Sequence, residues 1–206
     1  MKARWRSLLL CGWAVFPALP SSSGQQAFIQ PLGVVDPVVL ERISSSLSSF
    51  FDMEVKTASE LALPAEAYYA PRRRYRADRI LDFLDKLDIA LKGQVIGVTQ
   101  RDISVTKGAI PDWGIFGYSF APGRVCVVST FRLKHGRATR ELFLQRLERV
   151  ALHELAHTFG LLHCPGVGCL MEDARGAIRT VDRSDGLFCA RCRKQLGDRL
   201  KKQRAD

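Results

Sequence analysis

No apolar run in these 206 residues reaches the roughly 20 residues that a helix needs to cross a bilayer, so the sequence offers no candidate for a spanning helix. There is no internal repeat, which excludes solenoid and propeller architectures. Acidic residues are in the minority: 21 Asp and Glu against 31 Lys and Arg leave a formal charge of +10. The basic residues gather at 72–79 and 191–204, and neither cluster alternates with aromatics. With Tyr75 alone among them, a stacking platform for nucleic acid is not expected. A solvated positive surface is the plain reading, and attraction to acidic partners the functional one. Histidine is scarce, at four residues.

What is present fits one globular domain. Hydrophobic residues make up 47% and charged residues 25%, enough for a sizeable core. Residues 1–26 stand apart: a basic start at Lys2, Arg4 and Arg6, an apolar stretch over 7–20, then small polar residues. This is the outline of a secretory signal peptide, although no clean A-x-A precedes a cut point. Export to the periplasm or outside the cell is the expectation, with an N-terminal extension on a cytoplasmic protein as the alternative. The expected organisation is an extension over 1–26 and one catalytic domain over 27–206. That domain divides into an upper part (27–160), a lower part (161–198) and a basic tail (199–206).

Residues 27–32 read as a strand. Asp36-Pro37 then supplies an N-cap and a proline at the first helical position. Val39, Leu40, Ile43, Leu47, Phe50 and Phe51 follow at helical spacing, predicting a helix over 37–51. A short strand is expected at 53–57, a loop at 60–75, and a helix over 76–91 with Ile80, Leu84, Leu87 and Leu91 on one face. The continuous apolar run 94–99 reads as a buried strand. Residues 113–121 and 124–130 read as a strand pair around Pro122-Gly123. Thr139 can cap a long helix reaching Phe159, where Gly160 ends it. Beyond it regular structure is expected to thin out. The order indicates an α/β fold with a mixed sheet and two or three backing helices.

The long helix carries His153-Glu154-Leu155-Ala156-His157, an H-E-x-x-H motif. Four helical positions place the two histidines about 40° apart in rotation and about 6 Å apart along the axis, so both imidazoles can reach one ion. Glu154 projects from the same turn, where it can take a proton from water activated by zinc. The pattern continues through Gly160 to His163, completing H-E-x-x-H-x-x-G-x-x-H. The glycine lets the chain turn out of the helix and bring round a third ligand. Three protein ligands leave a fourth position open, as catalytic zinc requires.

Of six cysteines, Cys164, Cys169, Cys189 and Cys192 cluster in the last fifth of the chain, while Cys11 and Cys126 lie elsewhere. Clustered pairs that include a C-x-x-C suggest metal, and two disulfides are the alternative in an exported protein. From His153 to Cys192 the sequence closely resembles the archaemetzincin family of metallopeptidases, whose H-E-x-x-H-x-x-G-x-x-H-C-x4-C-x-M-x17-C-x-x-C hallmark is matched at every fixed position. A weaker resemblance runs from Phe28 to Leu196. The resemblance implies a metzincin-like fold with a small irregular C-terminal part built round a four-cysteine zinc site. It also implies a catalytic zinc at His153, His157 and His163 with Glu154 as general base, a second zinc at Cys164, Cys169, Cys189 and Cys192, and Met171 in a Met-turn beneath the first. Adjacent residues in extended backbone point to opposite sides, which favours separate ions for His163 and Cys164. The cysteine site is then expected to fix His163 and to brace a stretch too poor in apolar residues to hold itself.

The function expected is zinc-dependent hydrolysis of peptide bonds. The resemblance adds aminopeptidase-like action on peptides and a substrate strand lying along a sheet edge near 116–121. Tyr118 and Tyr75 are the candidates for stabilising the transition state. An inactive zinc module that recognises peptides and a basic zinc protein that binds nucleic acid are the alternatives; the first is opposed by intact Glu154, the second by the lack of interleaved aromatics.

Overall fold

A computed structural model describes residues 25–136 and 138–205, with the side chains of Arg204 and Ala205 outside the description. The signal-peptide reading of 1–26 falls almost entirely outside these residues. The elements in chain order are β1 (Gln26–Pro31), α1 (Pro37–Phe51), β2 (Glu54–Thr57), β3 (Tyr68–Tyr69), β4 (Arg74–Arg76), α2 (Ala77–Leu84), β5 (Gln94–Thr99), β6 (Ile103–Lys107), β7 (Ile110–Ile115), β8 (Gly117–Ser119), β9 (Val125–Ser129), α3 (Arg140–Thr158), α4 (Ile178–Arg183) and α5 (Ala190–Ala205). No helix among the described residues is long and apolar enough to cross a membrane.

The larger sheet has the order β2-β1-β5-β9-β8. Its first four strands are parallel, and β8 runs antiparallel to β9 at the edge. The central strands are buried on both faces, which explains their largely apolar sequences. Alternate side chains divide between two cores. Ala27, Ile29, Ile96, Val98, Cys126 and Val128 pack with α1 and α3. Phe28, Val95, Val125 and Val127 pack with α2. Helix α1 starts as expected, with the Asp36 carboxylate accepting from the Val38 amide at 3.0 Å and Pro37 in the first turn. Val39, Ile43, Leu47 and Phe51 form its buried stripe, each contributing about 1.5–3 kcal/mol of burial. The Thr139 hydroxyl caps α3 by accepting from the Leu142 amide at 3.2 Å.

A second sheet, β3-β4-β6-β7, corrects the sequence reading in several places. The expected loop 60–75 contains β3 and β4, and β6 replaces a gap. The single strand expected over 113–121 is two: β7 in the second sheet and β8 in the first. The helix expected to reach 91 ends at Leu84, and the following 3-10 turn leaves Leu91 74% exposed. What orders the second sheet is charge. Asp102, 9% exposed, accepts from Arg74 Nε at 2.8 Å and from Arg132 Nε and Nη2 at 2.6 and 2.9 Å. Arg74 Nη1 also reaches Asp112 at 2.7 Å. Removing the shared carboxylate leaves the largely buried Arg132 guanidinium without its ion-pair partner and takes one of two carboxylates from Arg74. Asp102→Ala is therefore expected to destabilise the fold by about 3–5 kcal/mol, read as a lowered midpoint of chemical denaturation with an unchanged slope.

The C-terminal part is more regular than expected. α5 runs through the segment read as a basic tail, with Cys192 and Leu196 buried and Leu200 partly buried at four-residue spacing on a helix otherwise rich in Arg and Lys. Leu170, Met171, Val181, Phe188 and Leu196 join the same core as α1 and α3, so the stretch after Gly160 is also held by apolar burial.

Candidate metal centre

Helix α3 presents His153, Glu154 and His157 to a cleft of about 660 Å³ beneath the β8 edge. Gly160 follows with φ of +87°, a conformation that disfavours any side chain, and a Cβ there would come within 2.5 Å of Arg199 Nη1. The turn brings His163 back, so that one nitrogen from each of His153, His157 and His163 lies within 4.8 Å of the others.

Two backbone carbonyls orient the rings. His153 Nδ1 lies 2.6 Å from the Leu170 carbonyl oxygen, and His157 Nδ1 lies 2.6 Å from that of Leu161. Each Nδ1 therefore carries the hydrogen and donates it, which leaves Nε2 with its lone pair facing inward. The two Nε2 atoms approach to 3.0 Å, so two lone pairs face each other. A cation between them resolves that contact; tetrahedral zinc places two imidazole nitrogens about 3.3 Å apart. Burial lowers the pKa of His153 to about 3 and of His157 to about 4, keeping both neutral and ready to ligate at pH 7.

Glu154 is 7% exposed. Burial raises its pKa to about 8, against the opposing effect of the Ser119 hydroxyl, which donates to Oε2 at 2.9 Å. A cation beside it favours the charged form and draws that value down. The β8 backbone lies close against the carboxylate: a Cβ at Gly117 would sit 2.5 Å from Glu154 Cγ and 2.7 Å from Oε1. Gly117→Ala must push Glu154 out of place. The expected outcome is an intact fold by circular dichroism with peptide hydrolysis reduced about 10- to 100-fold, since displacements near 1 Å cost up to ~10² in rate.

The four clustered cysteines also converge, with their sulfurs within 4.8 Å of one another. Cys164 Sγ and Cys189 Sγ are 3.8 Å apart. That is the edge of a tetrahedron built on Zn–S distances of about 2.3 Å, and far from the ~2.05 Å of a disulfide. All four cysteines are free, contrary to the disulfide alternative. Backbone N–H groups of Gly166 and Cys189 donate to the sulfurs of Cys164 and Cys169 at 3.3 and 3.4 Å, and Arg191 Nη2 donates to Cys164 Sγ at 3.2 Å. Such donors favour thiolates, against burial, which pushes the Cys169 and Cys192 thiols up while no metal is bound. The Cys192 backbone amide is the main cause that lowers the Cys189 pKa to about 7.

Met171 is fully buried, next to the carbonyl that orients His153, and its own carbonyl accepts from the Cys164 amide at 2.7 Å. Tyr118 lines the cleft beside Phe120. Tyr75 does not: it belongs to the second sheet and its ring packs 5.2 Å from Tyr68. Sequence reasoning missed Ser119 and the carbonyls of Leu161 and Leu170. The carbonyls have no sequence signal, whereas Ser119 lay within the stretch assigned to the sheet edge.

The model of Peptidase family M54 matches residues 35–198. The archaemetzincin of Halobacterium salinarum is 35% identical over 176 residues, spanning 82% of this chain and 97% of that protein. The archaemetzincin of Pyrococcus furiosus is 32% identical over 182 residues, spanning 84% and 92%. The crystal structure of archaemetzincin from Methanopyrus kandleri superposes with a TM-score of 0.75 at 32% identity, covering 89% of this chain and 99% of that one. That from Archaeoglobus fulgidus, complexed with malonate, gives 0.71 at 32% identity over 83% and 99%. With three histidines that can bind metal gathered at one cleft, the chain belongs to peptidase family M54, the archaemetzincins, and is a zinc metallopeptidase, a hydrolase of peptide bonds.

Proposed function

We propose that His153, His157 and His163 hold the catalytic zinc and that Glu154 is the general base for hydrolysis of peptides bound in the cleft. The observation that carries this reading is the pair of inward Nε2 lone pairs fixed by the Leu161 and Leu170 carbonyls, with a buried carboxylate on the adjoining residue. Zinc bound there supplies Lewis acidity, lowering the pKa of a water toward about 7 and polarising the substrate carbonyl. Glu154 Oε1 takes the proton from the attacking water and returns it to the leaving amine, while Ser119 holds Oε2 and keeps the carboxylate aimed. The exposed edge of β8, whose other edge pairs with β9, offers backbone groups to an extended peptide. Tyr118 stands on that strand as the candidate to stabilise developing charge.

Cys164, Cys169, Cys189 and Cys192 hold a second, structural zinc, since four thiolates leave no open position. On this reading the domain divides into an upper part carrying the sheets (27–160) and a lower part braced by the cysteines (161–198). Aminopeptidase-like action is the finer reading. It rests on the family resemblance carried by the motif from His153 to Cys192. Digestion of a mixed-peptide library by the purified protein, read by mass spectrometry, tests the reading. Removal of single N-terminal residues is expected; no cleavage by zinc-replete protein would overturn the assignment, and internal cuts would overturn its end-directed form.

A further inference from the structure

Arg149 lies on α3 one turn before His153 and lines the cleft. The neighbouring charges are engaged. Arg183 donates to Glu172, and Asp173 takes the Arg175 amide at 2.8 Å and lies 3.8 Å from its Nε. Lys107 sits 5.3 Å above the Trp113 ring. Arg146, nearby on the same helix, forms a two-point pair with Asp182 at 2.6 and 2.8 Å. Arg149 has no carboxylate within ion-pair distance among the described residues. Its Nη1 donates to the carbonyls of Val181 and Asp182 at 3.2 and 3.3 Å, which ties the guanidinium to α4. Those oxygens orient the group without neutralising its charge. The Nε–Nη2 edge has no protein partner among the described residues, and the cleft it lines carries apolar residues (Val150, Leu170, Val181) beside polar Thr180 and Ser184.

A guanidinium fixed at one nitrogen and free along its opposite edge in a cleft is a two-point receptor for a carboxylate. One helical turn separates it from His153 by about 6 Å along the axis, within reach of a residue adjoining the scissile bond. We infer that Arg149 selects substrates presenting a carboxylate there, either an acidic side chain or the terminal carboxylate of a short peptide. The inference rests on the peptidase reading and adds a specificity determinant to it.

Two peptide pairs test it: C-terminally amidated peptides with Glu or Gln flanking the cleaved bond, and neutral peptides ending in a free acid or an amide. kcat/KM is measured with zinc-loaded enzyme, and dissociation constants with zinc-loaded Glu154→Gln protein. The carboxylate member of one pair is expected to be favoured roughly 10- to 100-fold, and that pair identifies the source. The preference should collapse in Arg149→Met and survive in part in Arg149→Lys. Absence of any preference in the unmutated protein, which needs no variant to fold, overturns the inference, as does a preference unchanged in Arg149→Met. Cleavage without discrimination sinks this inference and spares the peptidase reading; selective binding without cleavage does the reverse.

Discussion

Replacing Glu154 with glutamine is expected to lower peptide hydrolysis by about 10²–10⁴-fold, the usual contribution of a positioned general base, while zinc content stays as in the unmutated protein. Glutamine keeps the shape and can still accept from the Ser119 hydroxyl, which donates at 2.9 Å. It cannot take a proton from water. The imidazoles of His153 and His157 are oriented by the carbonyls of Leu170 and Leu161, not by Glu154, so the metal site should survive. Assay of kcat/KM beside metal analysis by mass spectrometry checks this. Equal activity in both forms would remove Glu154 from the chemistry; joint loss of zinc and activity would make it a ligand or a packing element instead.

The second large effect is expected at a distance from the cleft. Cys192→Ser should reduce the metal count by one zinc, loosen the segment 161–205 to protease, and lower peptide hydrolysis by at least about tenfold. Structural zinc sites carry much of the folding free energy of the segments they close. Here the cysteine site is wired to the histidines through backbone. Cys164 directly follows His163, its amide donates to the Met171 carbonyl at 2.7 Å, and the preceding Leu170 carbonyl lies 2.6 Å from His153 Nδ1. Loss of the cysteine cluster thus disturbs two imidazoles at once. The buried Leu170, Met171, Phe188 and Leu196 oppose complete unfolding, so a loosened lower part on an intact upper part is the expected state. Limited proteolysis with mapping of the cuts checks it; cuts spread evenly through 26–160 would show that the whole domain depends on the metal.

The central sheet and the grouping of the candidate metal ligands could be read from the sequence because each has a local signature. The continuous apolar run 94–99 marked β5, the turn residues Pro122-Gly123 set off β9, Asp36-Pro37 marked the start of α1, and the i, i+4 spacing of His153 and His157 fixed one helix face. The second sheet had no such signature. Its short strands are held by Asp102 with Arg74 and Arg132, contacts 28 and 30 residues apart in sequence, and ion pairs at that separation leave no periodic trace. Helix α5 escaped notice because its buried stripe is only Cys192, Leu196 and Leu200, set among charges and interrupted by Gly197. In the site, donor types and order were legible, but the orienting carbonyls were not, since every residue has one. Gly117 illustrates the limit: the residue was visible in a segment of resemblance, but its closeness to Glu154 exists only after folding brings β8 over α3.

Anomalous diffraction at the zinc edge, from crystals of protein purified without added metal, tests the central claim most directly. The expected result is one peak bounded by nitrogens of His153, His157 and His163 with no fourth protein ligand, and a second peak enclosed by the four cysteine sulfurs. A histidine cluster without a peak, or a peak there closed by a further side chain, would contradict the account.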